Sequence, residues 1–225
     1  MRQLALETSG VTGSVALLVE GELIAEVSLP AGQRSGRSLA PAIDELLRRA
    51  SWAPRDLALV SVTVGPGSFT GLRIGVTTAK AFAYAVGAEV LGVDTLDVIA
   101  EQAPPGEVPL EVVLSAERGQ LFARRYVATA ARRYERDGEL RLVGEEVWLA
   151  SLPRPVLVTG PAVRKIELPA DVSVVDAVRR LPIAATVGQV AARLYGSGVR
   201  DDLWRLVPEY HRPSAAEEKW QARGE

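Results

Sequence analysis

Val64-Gly65-Pro66-Gly67-Ser68-Phe69-Thr70-Gly71-Leu72-Arg73-Ile74-Gly75 joins the end of a β-rich run, residues 57–64, to a helix expected over residues 70–86. Gly65 and Gly67 permit positive φ or a close backbone approach. Ser68 or Thr70 can cap the free amides of the first helical turn. Such an N-terminus can hold an anion. The segment is not a P-loop, because the Gly-Lys-Ser/Thr ending is missing. A plain strand–helix turn and a phosphate-binding turn therefore both remain open, with Gly65, Gly67 and Ser68 as candidate phosphate-proximal residues.

The helix adds a stronger signal. Gly71, Gly75, Ala79, Ala83 and Gly87 recur every four residues and form a stripe almost without side chains. Glycine inside a helix costs about 1 kcal/mol relative to alanine. A stripe that carries two of them implies that another backbone approaches closely. That backbone is either the chain's own sheet or a helix of another protein. Leu72, Val76, Phe82 and Val86 give a second apolar side, and Ile74, Thr77, Thr78 and Ala81 are weakly polar. A helix apolar nearly all round is buried on more than one side. In a chain this small, that favours an interface through Gly71, Leu72, Gly75, Val76, Ala79, Phe82 and Ala83.

On the N-terminal side, residues 4–8, 15–19 and 23–29 read as three strands joined by tight turns, an antiparallel meander. A loop over residues 30–38 follows. Ser38 is the expected N-cap of a helix with Pro41 in its first turn. Leu39, Ile43, Leu46, Leu47 and Ala50 follow helical spacing, and Pro54 ends it. On the C-terminal side, residues 89–93 form a buried strand, Thr95 caps a short helix through Ala100, and Pro104-Pro105-Gly106 is the domain boundary.

The second half opens alike: strands at 111–115, 121–128 and 140–149, then β runs at 156–160 and 172–175, and a helix at 183–195. No helix is expected after its third strand. Two halves in the same order predict a duplicated α/β fold of two lobes with mixed sheets. The boundaries are 1–103 for the first lobe, 107–207 for the second and 208–225 for a tail that can pack back on the first.

Composition bounds the chemistry. The chain has 225 residues, 48% apolar and 24% charged, so it is long enough for a real core. The net charge of −2 excludes an overall basic footprint for nucleic acid. With no cysteine, thiolate metal sites and a cysteine nucleophile are excluded; with His211 as the one histidine, so is a multi-histidine metal site. No Ser/His/Asp triad can be assembled. Arg118, Arg124, Arg125, Arg132, Arg133, Arg136 and Arg141 cluster around the second-half hairpin, but Glu135, Asp137 and Glu139 dilute the patch, which reads as a solvated hairpin. Glu7 interrupts the first apolar run before a signal-peptide core forms, and no run reaches the roughly 18 apolar residues of a membrane span. A soluble, cytoplasmic protein with no membrane contact is the expectation.

Leu6-Glu7-Thr8-Ser9 resembles the opening of the actin/Hsp70/sugar-kinase superfamily, whose fold is ribonuclease H-like. There the first hairpin approaches nucleotide phosphates and carries an aspartate. The resemblance adds Thr8 and Ser9 to the phosphate-proximal candidates. It also implies an alternative reading, an active nucleotide-binding kinase or ATPase. Against that, Glu7 replaces the aspartate, residues 115–119 (Ser-Ala-Glu-Arg-Gly) lack one, and Thr159-Gly160-Pro161-Ala162 offers one glycine where a Gly-Gly turn is expected. Phosphoryl transfer depends on positioned charge and metal.

Gly65 to Gly75, with residues 4–8, Ser14-Val15-Ala16-Leu17, Ser38-Leu39-Ala40-Pro41-Ala42-Ile43, Gly92-Val93-Asp94-Thr95-Leu96 and Pro208, Tyr210 and Arg212, resembles the TsaB (YeaZ-type) family of the bacterial tRNA threonylcarbamoyladenosine machinery. The loop before the first helix lacks the family's histidine, and residues 115–122 depart from its second hairpin. The resemblance implies a non-catalytic partner, with no catalytic or metal residues of its own. That partner pairs with a TsaD-like catalytic paralogue, which transfers threonylcarbamoyl to N6 of the adenosine beside the tRNA anticodon. A small TsaE-like ATPase would join, and tRNA would be met through the complex. Pairing is implied to use the first two helices, which adds Leu39, Ile43, Leu46 and Leu47 to the interface. The same helices can pair a homodimer when the partner is absent. No cofactor is expected in the isolated chain; ATP or ADP with Mg is left for a complex interface.

Overall fold

The structure is a computed structural model and describes residues 1–30, 35–131 and 133–212, with backbone alone at residues 35 and 36. Arg132, residues 31–34 of the first loop and the tail beyond Arg212 lie outside the described residues.

Two five-stranded mixed sheets carry the fold. In the first, β1 (Arg2–Glu7), β2 (Ser14–Val19) and β3 (Glu22–Ser28) form the expected antiparallel meander. β4 (Leu59–Gly65) and β5 (Glu89–Asp94) add to it in parallel, in the order β3-β2-β1-β4-β5. β1, β2 and β4 are buried on both faces, which is why they read as continuous apolar runs instead of alternating ones. The second sheet repeats the plan with β6 (Leu110–Ser115), β7 (Gln120–Ala128), β8 (Tyr134–Gly144), β9 (Leu157–Thr159) and β10 (Ser173–Val174), in the order β10-β9-β6-β7-β8.

One face of the first sheet holds α1 (Ser35–Ala50) and α2 (Phe69–Val86) over a core that includes Leu4, Leu6, Leu17, Val60 and Val62. The other face holds α5 (Ala184–Gly196), whose Ala184, Val187, Val190 and Ala191 pack on Ala5, Ala16, Leu18, Leu59 and Leu91. The sequence boundary at 107–207 placed this helix in the second lobe; the structure returns it to the first. The reason is surface matching, since β1, β2 and β4 are apolar on both sides and need a cover on each. α3 (Thr95–Glu101) sits between the sheets, with Leu96, Ile99 and Ala100 sharing a core with Leu110, Val112 and Tyr126.

Three local expectations change. α1 begins at Ser35, so Ser38 is not its cap and Pro41 stands a full turn inside the helix. α3 is capped by Asp94, not Thr95: the carboxylate accepts from the amides of Leu96 at 2.7 Å and Asp97 at 3.3 Å, a stronger acceptor in the same place. The strand expected at 140–149 ends at Gly144, and α4 (Glu145–Ser151) follows it, so the second half does have a helix after its third strand. Glu145 and Glu146 suit the first turn of a helix, and Trp148 is fully buried beneath it. Among the described residues no helix is long and apolar enough to cross a membrane.

Candidate functional site

The glycine turn closes on the first hairpin. Ser68 caps α2, accepting from the Gly71 amide at 3.2 Å, and its own amide donates to the Ser9 carbonyl at 2.8 Å. Four members of the small-residue stripe, Gly71, Gly75, Ala79 and Ala83, face inward, whereas Gly87 is the exposed left-handed C-cap of α2 at φ +73°. A Cβ at Gly71 would collide with the Thr8 carbonyl oxygen, and one at Gly75 with the Thr8 hydroxyl. Ala79 and Ala83 are fully buried in the first core. The close backbone is therefore the chain's own β1 end.

This corrects the expected interface. Leu39, Ile43, Leu46, Leu47, Gly71, Leu72, Gly75, Val76, Ala79 and Ala83 are all buried inside the chain, and Phe82 is half-buried against the same core. The surface α2 presents is the opposite one: Arg73, Thr77, Ala81, Tyr84 and Ala85 are exposed, with Ile74 and Thr78 half-buried beside them. Arg73, Ile74, Thr77 and Thr78 line a shallow depression of about 270 Å³. Beside it the outer side of α1 is charged, with Arg48 paired to Asp44 at 3.0 Å and Arg49 paired to Glu45. The signal for this face was present in the sequence as the positions offset by half a turn from the glycine stripe.

The phosphate-proximal candidates do gather in one place, where all but the Thr8 hydroxyl, buried without a hydrogen-bond partner, are engaged within the chain. Thr8 is buried with its hydroxyl turned to α2 at Gly75. The Ser9 hydroxyl donates to Glu7, and the Ser9 amide donates to the same carboxylate oxygen at 2.9 Å. A Cβ on Gly67 would stand 2.6 Å from the Ser9 carbonyl. Ser68 serves as the cap. Gly65, at φ +139°, lies against the Glu209 carbonyl, where a Cβ would stand 2.6 Å away. Glu7 itself has no exposed surface, and burial pushes its carboxyl up to about 7, with the Ser9 hydrogen bonds acting in the opposite direction.

The tail expected from residue 208 forms part of a longer strap, residues 201–212, whose start and partners sequence reasoning did not specify. The Asp201 carboxylate accepts from the Gly92 amide at 2.7 Å, and Lys80 donates to the carbonyls of Trp204 and Leu206 at 3.1 and 2.9 Å. The Glu209 amide donates to the Val64 carbonyl at 2.8 Å, at the end of β4. Tyr210 stacks on Phe69 with ring centres 4.4 Å apart and accepts from Arg73 at 3.1 Å. The segment then reaches the second lobe, where His211 meets the Phe122 ring edge-on and Arg212 donates to the Ala116 carbonyl. The sequence offered the Pro-x-Tyr-x-Arg spacing and the expected tail, but nothing that marked Asp201 or Trp204 as part of it.

Arginines of the second lobe serve carboxylates. Arg124 bonds Asp94 at 2.7 Å, and Arg136 and Tyr126 hold Asp97. Burial, with Asp97 close by, raises the Asp94 carboxyl above its ordinary range, and Arg124 acts against that. Arg125 and Arg141 each bond the fully buried Glu111 at 2.7 Å. A cavity of about 560 Å³ opens by Glu101, Gln102, Arg133, Tyr134 and Thr186, and none of the candidate residues lines it.

The sequence between residues 30 and 149 matches the family model described as TsaD: tRNA N6-adenosine threonylcarbamoyltransferase. The tRNA threonylcarbamoyladenosine biosynthesis protein TsaB of Bacillus subtilis is 35% identical over 126 residues, 56% of this chain and 55% of that protein. The protein of the same name from Escherichia coli is 30% identical over 128 residues, again 56% and 55%. The chain thus spans about half the length of the curated relatives it matches. Among solved structures, YeaZ from Pseudomonas aeruginosa superposes with a TM-score of 0.78 at 23% identity, over 93% of this chain and 99% of that one, a likeness of fold. With more than half of its residues under that family model and its relatives of the TsaB kind, the chain belongs to the tRNA N6-adenosine threonylcarbamoyltransferase family as a TsaB (YeaZ-type) member.

Proposed function

We propose that the chain works in threonylcarbamoyladenosine biosynthesis on tRNA as a non-catalytic partner of a catalytic relative, and that it docks through the outer face of α2 with the adjoining side of α1. The family description and the names of the curated relatives support the pathway. The observation that carries the docking is the exposed, weakly polar row Thr77, Ala81 and Ala85 on α2, next to exposed Tyr84. Small side chains in such a row let a second helix come close. The charged side of α1 supplies the rim, where ion pairs set orientation more than affinity. A small ATPase and tRNA belong to the same assembly in this reading, and the face pairs with a second copy when the relative is absent.

The test is co-purification of the full chain with the tRNA N6-adenosine threonylcarbamoyltransferase of the same source, and size exclusion with and without it. Ala81→Glu and Thr77→Arg place a charge in the contact without touching the core, so pairing should weaken at least tenfold at unchanged melting temperature. Undiminished pairing by both variants rejects the face. Failure of the unchanged chain to pair rejects the partner reading.

A further inference from the structure

The cavity of about 560 Å³ beside α3 takes its walls from both lobes. Ala100 and Ala103, at the end of α3, and Ile183, just ahead of α5, give it an apolar floor. Tyr134 of β8 adds an aromatic wall, its hydroxyl buried against Gly106. A volume of this order suits a small organic molecule. The cavity lies on the α5 side of the first sheet, across that sheet from α1 and α2. Its polar groups carry the information. Thr186 is only 4% exposed, yet its hydroxyl opens on the cavity and makes no hydrogen bond among the described residues. A buried hydroxyl in that state is unfavourable, and a bound oxygen satisfies it. The Arg179 guanidinium, also in the lining, has neither an ion pair nor a hydrogen bond among the described residues. The carboxylate in the same wall, Glu101, is occupied: its two oxygens take Arg193 at 2.9 Å each, and Arg133 stands 3.5 Å away. What is left over is one cation and one hydroxyl beside an apolar floor. The planar fork of a guanidinium matches a carboxylate. A phosphate asks for more donors, and the first amides of α5 do not supply them, being taken by Ser14 and Glu26.

We propose that this cavity binds a carboxylic acid with an apolar body, its carboxylate on Arg179 and Thr186 and its body on the floor between the lobes. The site stands or falls apart from the docking face, which is on the other side of the sheet. Its test is calorimetry on the full chain with 3-phenylpropionate, the uncharged 3-phenylpropionamide, and the peptide N-acetyl-Gly-Gly-Phe with a free carboxyl end. The acid should bind about tenfold more tightly than the amide and shift the backbone amide signals of Thr186 and Gln189 in NMR spectra. A peptide that binds more tightly than the free acid marks a chain end as the natural source, and the reverse order marks a small molecule. Thr186→Val keeps the shape and removes a hydroxyl that holds nothing in the chain. Its melting temperature should therefore hold or rise, while the acid binds about fivefold more weakly. Arg179→Met changes an exposed side chain, leaves the core untouched and should erase the preference for acid over amide. The site is rejected if neither acid nor peptide binds, or if acid and amide bind alike. It is also rejected if Arg179→Met keeps the full preference, which decides the matter even where Thr186→Val fails to fold.

Discussion

Glu7 sits without exposed surface at the end of β1, one carboxylate oxygen taken by Ser9 and the other without a partner. Its carboxyl holds the proton up to about 7 in the folded chain, against an ordinary value of 4.5. Between those values the unfolded chain releases the proton and the folded chain keeps it. Stability therefore falls as pH rises through this window and levels off above it, by about 3 kcal/mol in all. Glu7→Gln keeps an acceptor for Ser9 and has no charge to bury. Urea midpoints at pH 5 and pH 8 should differ less for Glu7→Gln than for the unchanged chain, and the variant should be the more stable at pH 8. Equal slopes for the two would refute the assignment. Gly75 teaches a related lesson. A glycine stripe reports that a backbone comes close, but whose backbone it is cannot be read from the stripe. Here it is the Thr8 segment, some sixty residues upstream in the sequence, and the inferred interface turned inside out for that reason.

Helix α5 has no cap of its own, since Ile183 at its N-cap has no polar side chain. Its first free amides are met from the far end of the chain. The Ser14 hydroxyl accepts from Ala184 at 2.7 Å, and the Glu26 carboxylate from Ala185 at 3.0 Å. Ser14 is buried, so Ser14→Ala leaves an amide without a partner and should cost about 1–2 kcal/mol in denaturant unfolding. A change within about 0.3 kcal/mol would mean that the cap is idle. Elements of this kind were legible unevenly. The meander, β4 and α2 announced themselves through apolar runs and turn chemistry. α4 did not, because Leu140 to Leu149 offers strand-forming residues throughout and only Gly144 with the two glutamates marks the change. α1 was read four residues short, because Ser38 was the last polar residue before the apolar spacing began.

At the scale of the whole molecule, the lobes are joined by α3 and by the pair Arg124–Asp94, whose side chains are each 7% exposed. Removing one member strands a buried charge. Arg124→Met should cost about 3 kcal/mol, and Asp94→Asn added to it should restore a part of that, so the two changes are not additive. Strict additivity would show that the pair does not couple. The two-lobed plan was legible because it repeats in the order of strands. The division of labour between lobes was not, because α5 follows the second sheet in the chain and serves the first. Gly188 lets it settle directly onto Leu18, and it covers a face to which, among the earlier described helices, α3 contributes Val98. A ribosome delivers the chain from its N-terminus. The first sheet can be complete once residue 94 has emerged, yet it keeps one oily side open until some ninety further residues have followed. During that interval the nascent chain is a natural client for a holding chaperone. Fragments stopped before residue 184 should be recovered bound to such proteins or in aggregates, however well their own lobe is formed.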